Sequence, residues 1–125
     1  MPVSLTKTFG FEAAHFLPTF EEGHKCRRMH GHSFRVEVKV LGEIDAKTGI
    51  LMDFKDIKAV VKPIIEGLDH HCLNDLGVER NEVLLMNPTS ENLAKWLYGV
   101  IKPQLSILHS VTVHETCTSL CEYWE

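Results

Sequence analysis

Histidine is the residue type that stands out. The chain holds eight in 125 residues, six of them before residue 73. His30 and His32 flank Gly31, and on a strand residues two apart point to the same side. Phe34, Val36 and Val38 continue that register, so both imidazoles aim at the buried face. His15 ends an earlier run in which Val3, Leu5, Phe9, Phe11 and Ala13 occupy alternate positions, with Lys7 the exception, so it faces inward as well. Three inward imidazoles at strand ends are costly unless something uses their nitrogens. A metal ion does so, and three neutral histidines with an open fourth position is the donor set of catalytic zinc. Iron, nickel and copper also accept imidazole; the ligand type favours zinc. The glycine between the two histidines leaves room for close backbone approach.

Other side chains could add acid–base chemistry. Cys26 lies four residues before His30 in Lys25-Cys26-Arg27-Arg28-Met29-His30. Three cations flank it, a setting in which cysteine chemistry is found, so it is expected as a fourth ligand or as a nearby base. Asp69 precedes His70, and a carboxylate beside an imidazole can orient it as a proton-transfer unit. Glu115 shares a strand face with Val111 and Val113, so its carboxylate needs a donor partner. A planar guanidine-type edge with two parallel N–H donors would match it. Cys72, Cys117 and Cys121 sit beside apolar elements and read as packing residues.

The elements that must position these groups follow from periodicity. Strands are expected at Val3–His15, His30–Val40, Ser110–Thr116 and Leu120–Trp124, with a loop from Leu17 to Met29. Asp53 should cap a helix whose stripe is Phe54, Ile57, Val60, Val61, Ile64, Ile65 and Leu68, kinked or cut short by Pro63. Asn87-Pro88-Thr89-Ser90 opens a second helix that buries Leu93, Trp96, Leu97, Val100 and Ile101 and stops at Pro103. The order ββααββ predicts an α+β fold, an antiparallel sheet with two helices on one face. An open four-stranded sheet has exposed edges, and pairing them between subunits removes that liability.

Composition bounds the function. At 125 residues, 44% apolar and 24% charged, the chain reads as one soluble domain over residues 1–125, with enough length for a single core. No run of 18 apolar residues occurs, and the first residues lack a basic segment followed by an apolar stretch, so a cytoplasmic protein is expected. A net charge of −4 argues against general nucleic-acid binding.

Taken together, Phe11-Glu12-Ala13-Ala14-His15, Cys26-Arg27-Arg28-Met29-His30-Gly31-His32-Ser33-Phe34, Leu68-Asp69-His70-His71, Asn87-Pro88-Thr89-Ser90-Glu91 and Glu115-Thr116-Cys117-Thr118 resemble the 6-pyruvoyl-tetrahydropterin synthase family over essentially the whole chain. The four-residue spacing from Cys26 to His30 and the Glu-Thr-Cys-Thr segment are similar to its bacterial carboxytetrahydropterin branch; Cys72 stands where that pattern would place an aromatic residue. The resemblance implies the tunnelling fold, whose subunits join sheets into an oligomeric barrel, a tetramer or hexamer. It implies zinc on His15, His30 and His32, and a proton-transfer set of Cys26, Asp69 and His70 drawn from neighbouring subunits. Glu115 would anchor a pterin ring, with Thr89, Ser90 and Glu91 nearby. His24, Lys25, Arg27 and Arg28 are the candidate cations for a triphosphate, which an acidic protein would otherwise repel. The implied reaction is a lyase conversion of 7,8-dihydroneopterin triphosphate to 6-carboxy-5,6,7,8-tetrahydropterin, with release of acetaldehyde and triphosphate, in queuosine biosynthesis. The alternatives are a pyruvoyl synthase, which keeps the two carbons, and a non-catalytic metal-binding scaffold.

Overall fold

Two long antiparallel strands, β1 (Pro2–His15) and β2 (His30–Glu43), carry the alternating pattern and form the centre of the sheet. In the computed structural model, which describes residues 2–125, they are followed by α1 (Phe54–Glu66), β3 (His71–Cys72), α2 (Leu73–Arg80), α3 (Val83–Met86), α4 (Ser90–Ile101), β4 (Leu108–Thr116) and β5 (Ser119–Trp124). The five strands form one mixed sheet in the order β3-β1-β2-β4-β5. Its inner face supplies Phe11, Phe34, Val36, Val38, Val40, Val111 and Val113 to a single core, into which the helices set Ile57, Val61, Ile65, Leu93, Leu97 and Ile101. The opposite face is polar, carrying Glu12, Ser33, Arg35, Glu37 and Lys39.

The expected α+β order is present, with additions and two local corrections. β3 is a two-residue strand that pairs in parallel with Ala13 and Ala14, making the sheet mixed. Helices α2 and α3 fill the stretch after it; Gly77 allows their close approach, since a Cβ there would stand 2.6 Å from the Leu85 carbonyl carbon. Pro63 does not end α1, which runs on to Glu66. Pro63 and Ala59, whose carbonyl loses its helical donor, are both exposed, so water can take the freed acceptor. Phe54 is 46% exposed rather than buried, because the first turn projects beyond the sheet-facing stripe of Ile57, Val61 and Ile65.

Caps appear where the sequence puts them. Asp53 accepts the Lys55 N–H at 2.8 Å, and Thr89 Oγ1 accepts the Asn92 N–H at 3.1 Å. Among the described residues, no helix is long and apolar enough to cross a membrane.

Candidate metal centre and adjoining pocket

Strand register brings the three histidines together. His15 lies directly opposite His30 across the β1–β2 ladder, and His32 lies opposite Ala13. All three therefore share the inner face at one end of the sheet. Their ring centroids are 4.5 to 5.1 Å apart. Phe34 forms an apolar floor, its ring centroid 5.6 Å from His15 and 5.5 Å from His32.

Backbone carbonyls orient two of the rings. His15 Nδ1 lies 2.9 Å from the Pro88 oxygen and His30 Nδ1 lies 2.7 Å from the Arg28 oxygen. A carbonyl only accepts, so each Nδ1 is a protonated nitrogen, and in the neutral ring that leaves the lone pair on Nε2. His15 is completely buried, and its burial is the main reason its imidazole is held below its ordinary pKa; His30 and His32 act in the same direction, against the Pro88 carbonyl and Glu115. Neutral imidazole is the form that ligates metal.

The fourth member of the cluster is Glu115. It lies two positions beyond Val113 on the inward alternation of β4, where the pairing with β5 shifts register between His114 and Thr116. Such irregularities re-aim a side chain. Glu115 Oε1 is 2.9 Å from His32 Nε2 and 3.5 Å from His15 Nε2, while Oε2 accepts the Ser90 hydroxyl at 2.8 Å. Ligand atoms of His15, His30, His32 and Glu115 all fall within 4.8 Å of one another. Nε2 of His15 and of His32 are buried without a hydrogen-bond partner, despite the closeness of the carboxylate. Buried ring nitrogens left unpartnered beside a carboxylate lack a group that uses them. A divalent ion meets that need, so the residues fit a metal.

Beside Glu115, Ser90, Glu91 and Cys121 help line a cavity of about 390 Å³. Ser90 and Glu91 thus lie beside Glu115. Thr89 has its hydroxyl oxygen committed to capping α4.

The other expected site residues lie elsewhere in the chain. Asp69 and His70 dock on the edge of β1: Asp69 Oδ1 accepts the Glu12 N–H at 2.8 Å, and the His70 N–H donates to the Glu12 carbonyl at 2.6 Å. Asp69 Oδ2 then holds His70 Nδ1 at 2.9 Å. The Glu12 amide first, and the His70 ring second, hold the Asp69 carboxyl below its ordinary pKa. His70 takes a φ of 60°, a left-handed conformation that costs a non-glycine residue about 1–2 kcal/mol. Its ring is exposed and borders a cavity of about 500 Å³ that Glu12, Gly31 and Ser33 also line, with His32 of the cluster. Among the described residues, no hydrogen bond or ion pair joins Asp69 or His70 to Cys26 or to the histidine cluster.

Cys26 sits half-buried in a 3-10 turn, Lys25–Arg27, within the β1–β2 loop. Its backbone N–H donates to His24 Nδ1 and its carbonyl accepts from Leu17. Arg27 spends an N–H on the Phe20 carbonyl, and His24 stacks on Phe20. Lys25 and Arg28 are exposed on the same loop. The sequence reading did not anticipate the orienting carbonyls of Pro88 and Arg28, because a backbone acceptor leaves no trace in residue type.

The chain is similar to known proteins over nearly its whole length. Residues 4–125 match the family described as 6-pyruvoyl tetrahydropterin synthase. A 6-carboxy-5,6,7,8-tetrahydropterin synthase of Synechocystis is 45% identical over 125 residues, covering 94% of this chain and 90% of the relative. One of Haemophilus influenzae is 32% identical over 143 residues, covering 97% and 98%. Among solved structures, Caenorhabditis elegans 6-pyruvoyl tetrahydropterin synthase superposes with a TM-score of 0.85 at 25% identity, covering 100% of this chain and 96% of that one.

Proposed function

Because the chain belongs to the 6-pyruvoyl tetrahydropterin synthase family, we propose that it converts 7,8-dihydroneopterin triphosphate and water to 6-carboxy-5,6,7,8-tetrahydropterin, acetaldehyde and triphosphate. It is an enzyme of the lyase type its relatives' names describe. The proposed setting is queuosine biosynthesis. One observation carries the reading: ligand atoms of three imidazoles and of the Glu115 carboxylate lie within 4.8 Å of one another, with a cavity alongside.

His15, His30 and His32 would hold zinc, the metal that the all-imidazole set and the neutral state of His15 suit best. Bound there, the ion supplies Lewis acidity toward side-chain oxygens. The remaining work falls to this chain's own groups. Glu115 takes the guanidine-like edge of the pterin and sets the ring's register, with Ser90 steering the carboxylate through its 2.8 Å hydrogen bond. Cys26 removes a proton from the side chain. Asp69 fixes the tautomer and direction of His70, which returns a proton. Lys25, Arg27 and Arg28 face the triphosphate.

Among the described residues, His70 makes no hydrogen bond or ion pair to Cys26 or to the histidine cluster, and this supports an active site completed between subunits. β1 beyond its two-residue contact with β3 and the outer side of β5 are the edges available for joining sheets. The decisive experiment incubates the purified protein with dihydroneopterin triphosphate and identifies the products. Acetaldehyde with a carboxylated tetrahydropterin is expected; a pyruvoyl product would assign the other branch, and no turnover by the metal-loaded protein would overturn the enzymatic reading.

A further inference from the structure

Asn74 is a buried polar residue that no step above uses. It is the second residue of α2 and 3% exposed. Its amide is fully satisfied. Oδ1 accepts the Phe16 N–H at 3.0 Å, and Nδ2 donates to the Phe16 carbonyl at 2.8 Å and to the Met86 carbonyl at 3.2 Å. The Cys72 thiol lies 3.8 Å from Oδ1 and 3.8 Å from Met29 Sδ, and its one hydrogen can serve either acceptor.

The three backbone groups that Asn74 binds are not scattered. Phe16 follows His15 directly, so the N–H that Asn74 holds belongs to the peptide bond leaving His15. The β1–β3 ladder stops at Ala14, and the Asn74 side chain takes both polar groups of Phe16 as the next strand residue would. Met86 lies two residues before Pro88, whose carbonyl orients His15 Nδ1 at 2.9 Å. One carboxamide therefore ties the segment that carries His15 to the segment that carries its orienting acceptor. The geometry points to Asn74 as a positioning residue for His15, and through it for the metal centre; this rests on the metal reading above.

Two consequences follow from the chemistry. Removing the amide leaves the Phe16 and Met86 groups unpaired in a buried place and lets the two segments slide relative to each other. A histidine ligand whose outer partner shifts loses metal affinity by about 10- to 100-fold, and Asn74 acts one bond further out, so a loss of about tenfold is expected.

The test measures zinc and cobalt affinity of the folded protein by chelator competition, with the visible spectrum of the cobalt form, in wild type, Asn74→Ala and Asn74→Asp. Asp keeps the shape and the acceptor for Phe16 but loses the donors to Phe16 and Met86. Val61→Ala, a fully buried lesion in α1 away from these segments, serves as the stability control. Both Asn74 variants should bind metal about tenfold more weakly with an altered cobalt spectrum, while Val61→Ala lowers the denaturation midpoint and keeps wild-type affinity. Wild-type affinity and spectrum in either folded Asn74 variant would overturn the inference. Equal weakening by Val61→Ala would do the same, since that is what general destabilisation gives. A wild-type protein that binds no metal would instead sink the metal reading itself.

Discussion

Glu115→Gln separates the two things the carboxylate can do. The carboxylate has about four lone-pair sites; Ser90 occupies one, and the proposed ring edge takes two in parallel. Glutamine keeps the shape but turns one oxygen into a donor that faces another donor. One charge-assisted bond is lost and the second becomes neutral. Charged hydrogen bonds contribute about 1.5–3 kcal/mol and neutral ones about 0.5–1.5, so the combined cost is about 2.5–4.5 kcal/mol. At 1.4 kcal/mol per tenfold, affinity for the ring should fall about 60- to 1,600-fold. The assay is binding of a pterin that lacks the side-chain tail, followed by fluorescence, beside zinc affinity by chelator competition. Three imidazoles remain, so the variant should keep stoichiometric zinc. Unchanged pterin binding together with lost zinc would refute the assignment and make Glu115 a metal donor, which its 2.9 Å distance to His32 Nε2 would then explain.

Three further outcomes are expected. His32→Ala removes one of the converging imidazoles and should abolish stoichiometric zinc, read by metal analysis after dialysis; retained metal would exclude His32 as a ligand. Cys26→Ala should keep fold and zinc and lose most turnover, because the side chain is half-buried on a loop and holds no structural element in place; full turnover would remove it as the base. The Asp69 carboxyl has a lowered pKa, so whatever its ion pair and hydrogen bonds contribute is present above about pH 3.8 and is lost as pH falls through the lower folded value. Carbon NMR titration should find its midpoint below 3.8 in wild type and still below it in His70→Ala, since the Glu12 amide is the larger cause. A midpoint in His70→Ala at or above the ordinary value would contradict that ordering.

Much of the frame was legible because β-structure writes its faces into the sequence with period two. The alternation through Phe11, Ala13 and His15, and through His30, His32 and Phe34, settles which side each residue takes, and the β1–β2 register delivers the cluster. What escaped reading depends on contacts that residue type does not encode. β3 exists because Asp69 and His70 grip the Glu12 backbone, after which only Ala13 and Ala14 are left to pair. Helix α2 buries only Leu73, Asn74, Leu76 and Gly77, too few apolar positions to announce a stripe. Pro63 survives inside α1 because its side of the helix faces water.

The site divides along the same line. His15 was readable as an inward residue, but the tautomer that makes it a ligand is set by the Pro88 carbonyl, some 73 positions away. Glu115 was readable as an inward carboxylate needing a donor; Ser90 supplies one, and the carboxylate also stands beside Nε2 of His15 and of His32. The two Nε2 atoms are buried without a hydrogen-bond partner beside that carboxylate; a cation at the centre would use the nitrogens, and a donor edge would draw the carboxylate away. Those are the two ligands the proposed reaction requires. The same carboxylate responds to both, so ring binding and metal environment should be coupled at Glu115, and the tail-less pterin should perturb the cobalt spectrum of wild type but not of Glu115→Gln.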